Sequence, residues 1–242
     1  MPGAMPFLHQ YLGNPILSGI GQLFFSAPIK DFHCGLRGLT KAAAEKMDLQ
    51  TTGMEFASEM VIKASLLKMK ICEVPTKLYP DGRDRAPHLR TWRDGWRHLR
   101  FMLIFSPRWL FLYPGMVLMG LGIILSIWTF IAPINLSGVS IDIHSLAYFN
   151  AFVVIGFSMI LFAIQSRYYG FISGLLPNLP KYAKLLKSFK LETGLMIGAL
   201  LILSGLGLAI HALNIWSQAQ FGDIDPQRTT RFVLPSISVM IM

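Results

Sequence analysis

Ser106-Pro107-Arg108-Trp109-Leu110-Phe111-Leu112-Tyr113-Pro114-Gly115-Met116-Val117-Leu118-Met119 is where the chain changes character. Residues 1–108 hold 15 of the 22 Lys and Arg and 9 of the 13 Asp and Glu, whereas residues 109–242 hold 7 and 4. A charged, mixed segment therefore meets a lipid-soluble one at this point. The chain as a whole is 53% hydrophobic and 14% charged, against about 25% charged for a soluble globular protein. Three apolar runs follow, over residues 109–134, 144–165 and 194–216. Each is long enough to cross a hydrocarbon core of about 30 Å as a helix. A fourth run, 232–242, is too short to span by itself, so it is either a partial span or an interfacial tail. The chain is expected to be a multi-pass protein of the cell or inner membrane.

Charges around these runs set the orientation. Arg90, Arg93, Arg97, Arg100 and Arg108 precede the first run, and Arg167, Lys181, Lys184, Lys187 and Lys190 follow the second. The loop after the first run carries Asp142 alone, and Asp223, Asp225, Arg228 and Arg231 balance after the third. Residues 1–106 and the 167–190 loop are therefore expected on the cytoplasmic side. Lys181, Lys184 and Lys187 form one stripe if that loop is helical, serving as an anchor to anionic lipid or as a headgroup contact. The net charge of +9 suits a membrane face. No nucleic-acid motif accompanies it, so no nucleic-acid partner is expected. Cys34 and Cys72 stand far apart and imply neither a disulfide framework nor a zinc site. The opening residues lack a basic n-region, and Asn14-Pro15 interrupts them, so they do not read as a cleavable signal.

In the charged half, residues 6–26 carry Leu8, Leu12, Pro15, Ile16, Ile20, Leu23 and Phe24 at helical spacing, predicting a helix broken near Gly13-Asn14-Pro15. It would pack on a sheet or lie on the membrane. Lys30-Asp31-Phe32-His33-Cys34-Gly35-Leu36-Arg37-Gly38 follows, with glycines that permit close approach by a ligand. Read alone, it is equally an ordinary turn with an ion pair. Thr52 and Glu55 have capping-box spacing, opening a helix to about Met69 in which Glu59 and Lys63 form an i,i+4 pair. Phe56, Met60, Ala64 and Leu67 are its expected core stripe. Residues 70–76 read as a short strand ended at Pro75, and a helix followed by a strand suits an α/β layer. Residues 79–90 form a turn-rich basic loop with Arg83, Arg85, His88 and Arg90. Leu89, Trp92, Trp96, Leu99 and Leu103 then recur on one side of a helix whose other side carries arginines, the pattern of a helix lying in the bilayer interface. Three regions result: 1–88, an interfacial helix at 89–106, and the transmembrane region 107–242. His211 is the main ionisable residue inside a run. Nothing resembles a proton relay or ion path.

Several of these pieces stand in a specific order: Asp31-x-x-x-Gly35-x-Arg37, then Gly53-x-Glu55-Phe56-x-x-Glu59-x-x-x-Lys63-Ala64, then Ile71-x-Glu73-Val74-Pro75, then the arginine-rich loop. With the interfacial helix before the spans, residues 30–105 resemble the C-terminal part of family 2 glycosyltransferases such as dolichyl-phosphate mannose synthase and the bacterial polyprenyl-phosphate glycosyltransferases. The resemblance implies a partial Rossmann-like α/β segment of GT-A type at the cytoplasmic face, followed by an α-helical transmembrane region. It implies a nucleotide-sugar donor, a polyprenyl (dolichyl-type) phosphate acceptor and a divalent metal, Mg or Mn. By the same resemblance Asp31 and Arg37 are the catalytic candidates. Arg83, Arg85, His88 and Arg90 would bind substrate phosphates, with Glu55 and Glu59 in support. A phosphate monoester is largely ionised at neutral pH, its second pKa lying near ~6. Asp31 then orients an arginine or metal more than it takes a proton. Arginines and metal would stabilise the departing nucleotide diphosphate.

Two departures stand out. The cytoplasmic half has no D-x-D motif, since Asp223-Ile224-Asp225 falls on the other side of the membrane, so ligands for the implied metal are not expected in this chain. The family's nucleotide-holding βαβ units have no counterpart either. The sequence thus predicts a truncated or split enzyme that does not transfer sugar by itself and engages a nucleotide-sugar only if the missing half is supplied. The rival from another class is a non-catalytic membrane module that binds lipid phosphate or scaffolds a partner enzyme. A third reading, a small transporter or flippase subunit, rests on the spans alone.

Overall fold

The structure is a computed structural model and describes residues 9–32, 34–53, 55–77, 79, 91–131, 134–136, 139–174, 176, 191–223 and 225–242. It divides into two compact units, one of residues 1–110 with 167–177 and one of residues 111–166 with 178–242.

Among the described residues, four helices build the core of the first unit. A π-helical turn, His9–Gly13, leads into α1, Asn14–Phe25, with Pro15 in the first turn where its missing N–H costs nothing. Ser26 ends α1 in the left-handed region, its N–H returning to the Gln22 carbonyl at 2.7 Å. Thr40 caps α2, Lys41–Met47, by accepting from the Ala43 N–H at 3.2 Å. α3 is Glu55–Leu66 and α4 is Thr91–Phe105. Phe25 of α1, Val61 and Ile62 of α3, and Met102 and Phe105 of α4 meet in one core, closed by Phe32 and Leu176. Gly21 lets the Phe32 ring lie against α1, since a Cβ there would stand 2.5 Å from the ring.

Three expectations change here. The α/β segment is not seen: among the described residues of the first unit there are helices and irregular chain but no strand or Rossmann-like layer. Residues 71–77 form neither helix nor strand. A ladder partner is replaced by a side chain, because Glu73 Oε1 accepts from the backbone N–H groups of Lys30 at 2.7 Å and Asp31 at 3.0 Å. In α1 the buried side is Ser18, Gly21 and Phe25, while Leu12, Ile16 and Leu23 are exposed. In α3 Ala64 of the expected stripe is buried, but the core side also takes Ser58, Val61 and Ile62, and Phe56 is exposed.

The second unit holds the apolar helices. α5, Tyr113–Ile131, continues from a π-helical turn, Arg108–Leu112. An antiparallel hairpin of β1, Ile134–Leu136, and β2, Val139–Ile141, joins it to α6, Ile143–Ile172. α7 is Leu191–Gln218 and α8 is Pro226–Ile241. Arg108–Ile131, Ile143–Ile172 and Leu191–Gln218 are each long and apolar enough to cross a membrane.

Without a hydrophobic drive between helices in lipid, close backbone approach at small residues does the joining. A Cβ on Gly156 of α6 would stand 2.5 Å from the Met119 N and 2.6 Å from the Gly115 carbonyl oxygen of α5. Gly115 and Gly122 are equally closed by α6. On α7, Gly205 receives Ser236 and Met240 of α8, so the fourth apolar run packs along α7. Arg231 of α8 reaches Asp142 Oδ1 at 2.8 Å and the Phe130 carbonyl at 3.3 Å. The single acid after the first run thus meets a basic residue that follows the third. His211 lies edge-on to the Phe232 ring at 4.8 Å.

Candidate functional site

The motifs that stand apart in sequence come together in the first unit. Glu73 holds the backbone of Lys30 and Asp31. Asn14 Nδ2 donates to Asp31 Oδ1 at 3.1 Å, Ser18 Oγ donates to Asn14 Oδ1 at 3.2 Å, and Ser18 Oγ in turn accepts from the Phe32 N–H at 3.0 Å. Asp31 is therefore fixed from two sides, its side chain by the first turn of α1 and its backbone by Glu73. Sequence reading treated Asn14 only as a helix breaker beside Pro15. The signal available for it was a polar amide in an otherwise apolar segment.

Arg37 is held by the backbone on three sides. Its Nε donates to the Cys34 carbonyl at 2.7 Å and a terminal nitrogen to the Phe32 carbonyl at 2.8 Å, while the other terminal nitrogen donates to the Ala57 carbonyl on α3. The guanidinium fork is spread over three backbone oxygens. Burial lowers its pKa from the ordinary arginine value, offset in part by Cys34 and Asp31. Chemically this is a clasp that holds the Asp31 segment to α3.

Glu55 and Glu59 also separate in role. Glu55 pairs with Arg97 of α4 through two bonds, Arg97 Nε to Oε1 at 2.9 Å and a terminal nitrogen to Oε2 at 3.0 Å. That arrangement ties α3 to α4 where the spacing with Thr52 had suggested a capping box. Glu59 is fully buried and accepts from the Gln50 N–H, the Thr51 N–H at 2.8 Å, the Thr51 hydroxyl at 2.6 Å and the Lys63 ammonium at 2.8 Å. Lys63 donates onward to the Asp48 carbonyl at 2.6 Å. Burial alone would raise the Glu59 pKa, but the hydrogen bonds from Lys63, Thr51 and Gln50 outweigh it and hold the carboxyl below its ordinary value. The pair moulds the 48–51 loop and so sets Leu49 as a wall of an open cavity of about 430 Å³, also lined by Gly35, Arg37, Thr40, Phe56 and Ala57.

One polar pair went unread in the sequence. Ser58 Oγ lies 2.9 Å from His98 Nδ1 in the interface of α3 and α4, both buried. Burial lowers the His98 pKa, with Arg97 adding to it and Glu55 and Asp94 opposing. His98 follows Arg97 directly in sequence but lies about 100° round α4 from it, on the buried side with Asp94 and Met102.

Arg83, Arg85, His88 and Arg90 lie outside the described residues, as do Lys181, Lys184 and Lys187. Among the described residues no group of three or more His, Cys, Asp or Glu side chains stands together, so the side chains described do not fit a divalent metal.

Residues 164–242 match the glycosyltransferase family 2 C-terminal transmembrane region. The chain is also similar to the low-salt glycan biosynthesis hexosyltransferase Agl6 of Haloferax volcanii, with 34% identity over 222 residues, which is 91% of this chain and 52% of that protein. The chain thus spans about half the length of the curated relative it matches. No solved structure matches it. Together with three membrane-length apolar helices, these likenesses make the chain an integral multi-pass membrane protein, similar to the C-terminal part of the family 2 glycosyltransferases.

Proposed function

We propose that the chain takes part in transferring a sugar from a nucleotide-sugar to a polyprenyl (dolichyl-type) phosphate, with residues 1–106 on the cytoplasmic side. The observation that supports this most is the 34% identity to a hexosyltransferase over 91% of the chain, joined to membrane helices that bring the first unit to a lipid substrate. In this reading Asp31 orients the reacting groups, held by Asn14 and by the Glu73-bound backbone. Arg37 keeps that segment in place rather than touching phosphate. Arg83, Arg85, His88 and Arg90 are left as the phosphate-binding set. The divalent metal that the family implies would take its ligands from outside the described residues.

The test is transfer of radiolabelled sugar to polyprenyl phosphate in membranes. One sample holds this chain alone, and a second adds a polypeptide equivalent to the half of the Haloferax relative that the chain does not match. Lipid-linked product only in the second is expected. Absence of product in both, with the two polypeptides shown to associate, would overturn the transfer reading.

The non-catalytic alternative draws on one observation, the engagement of all three Arg37 nitrogens by carbonyls, which gives this cation a structural task. It predicts retention of polyprenyl phosphate by the chain with no product in either sample.

A further inference from the structure

α1 carries three polar side chains at four-residue steps, Asn14, Ser18 and Gln22, in a stretch that is otherwise apolar or glycine. Residues four apart are neighbours on one side of a helix, and all three reach the chain that returns along it. Gln22 Nε2 donates to the Ile29 carbonyl at 2.5 Å, Ser18 Oγ accepts from the Phe32 N–H at 3.0 Å, and Asn14 Nδ2 donates to Asp31 Oδ1 at 3.1 Å. Phe32 is completely buried, its ring seated where Gly21 has no side chain.

The three ties differ in kind. Those of Gln22 and Ser18 hold backbone, as do the two bonds that Glu73 accepts from the Lys30 and Asp31 N–H groups. The segment is thus fixed without Asn14. What the Asn14 bond adds is a single rotamer for the Asp31 side chain, on a residue that is half-buried. The polarity of the bond is set as well. A hydroxyl has one proton to give; Ser18 Oγ accepts from the Phe32 N–H and gives its own proton to Asn14 Oδ1. The Asn14 amide then has its NH2 group to turn toward Asp31. Ser18, one turn further along α1, thereby decides which end of that amide the carboxylate meets.

We infer that Asn14 and Ser18 are positioning residues for sugar transfer: Ser18 orients the Asn14 amide, and the amide aims the Asp31 carboxylate at the reacting groups. This rests on the transfer reading, in which Asp31 touches those groups, and it assigns the aim to a helix that carries no charged residue. A neutral donor suits the task. It holds a carboxylate by a charge-assisted hydrogen bond without adding a cation that would compete for substrate phosphates. Asn14→Asp separates this role from a merely structural one. The replacement is the same size and keeps an acceptor for Ser18, but it loses the donor and sets two carboxylates face to face. Two such groups share one proton, and with that proton between them the introduced carboxyl donates as the amide did.

The test pairs the full chain in membranes with a polypeptide equivalent to the half of the Haloferax relative that it does not match, and supplies polyprenyl phosphate with a mixture of radiolabelled UDP- and GDP-hexoses. Asn14→Asp and Ser18→Ala should each lower kcat by about 10²-fold, the scale set by displacing a reacting group about 1 Å. The KM for polyprenyl phosphate should change by no more than about twofold, as when an interaction made in the transition state is lost. Measured against the unaltered chain at each pH, the Asn14→Asp deficit should shrink as the pH falls from about 8 to about 6, while that of Ser18→Ala should not. If Ser18→Ala fails to fold, Asn14→Asp decides alone, because it leaves the Ser18 and Gln22 ties in place. Asn14→Asp at the unaltered rate, with a loss in KM alone, or with the same deficit at every pH would overturn the assignment and leave the transfer reading standing. A folded Ser18→Ala chain at the unaltered rate would overturn it equally. No product from the unaltered pair would overturn the transfer reading and the assignment together.

Discussion

Lys63 stands 2.8 Å from Glu59 one turn along α3, and the two side chains are 3% and 0% exposed. Removing one member leaves the other as a buried charge without its partner, at about 3–5 kcal/mol. Glu59→Ala should therefore unfold the first unit far more readily than the double change Glu59→Leu with Lys63→Met, which removes both charges at similar volume. Thermal unfolding in detergent reads the order of the two. A double variant no more stable than the single one would refute the coupling.

Acid should weaken the first unit through two groups with the same sign. The folded pKa of His98 is lowered by burial, so the stability carried by its neutral form is present above about pH 6.5, the unfolded value, and is lost as pH falls toward the folded value. Glu59 is held low by its hydrogen bonds, so its contribution is present above about pH 4.3 and is lost as pH falls through the folded value. In both cases the unfolded state binds the proton more readily. His98→Gln should flatten the fall in melting temperature between pH 7 and 5, and an unchanged slope would place the titrating group elsewhere.

Arg37→Lys should fail to substitute for arginine. A lysine presents a point charge in place of a planar fork and cannot serve the Phe32, Cys34 and Ala57 carbonyls together. Each charged hydrogen bond lost is worth about 1.5–3 kcal/mol. Both Arg37→Lys and Arg37→Ala should lower the melting temperature without any substrate present. A full loss of transfer at unchanged stability would return Arg37 to phosphate binding.

These cases show what could be read from residue order and what could not. The membrane helices were legible because long apolar runs have one solution in lipid, and α6 and α7 extend only a few residues beyond the runs at 144–165 and 194–216. Glu59 and Lys63 could be read only as an i,i+4 pair, because that spacing is the same inside and outside a protein. Their burial depends on the 48–51 loop folding back onto α3, a long-range event. Residues 70–76 carry strand-forming Ile and Val, but a strand exists only where a ladder partner does, and Glu73 supplied a side-chain tie. The clasp at Arg37 was invisible because carbonyl acceptors leave no mark on composition. Asp31 was read from its motif, whereas its holders Asn14 and Ser18 sit on another element.

Gly156 and Gly120 should behave in opposite ways. A side chain at Gly156 meets the α5 backbone within 3 Å, while one at Gly120 meets nothing within 4 Å. Gly156→Leu should destabilise the α5–α6 pair by at least the about 1–3 kcal/mol of overpacking, and Gly120→Leu should be neutral. Size-exclusion profiles and melting temperatures in detergent separate the two. Equal tolerance would contradict the close helix approach.

The Arg231–Asp142 pair ties α8 to the α5–α6 hairpin end. Arg231→Asp should loosen it, and adding Asp142→Arg should recover most of the loss. Protease sensitivity of the C-terminal residues reports the result. No recovery in the swapped pair would mean that the 2.8 Å contact does not hold α8.

Four polar side chains within the membrane helices turn inward on their own backbone. Thr129 donates to the Leu125 carbonyl, Asn150 to Leu146, Ser158 to Val154 and Ser204 to Leu201. No Asp, Glu, Lys or Arg lies in residues 113–131, 145–165 or 193–216. Transmembrane voltage performs work only on charge that it can move, about 2.3 kcal/mol per charge per 100 mV. An energised and a depolarised membrane should therefore be the same environment for these three stretches.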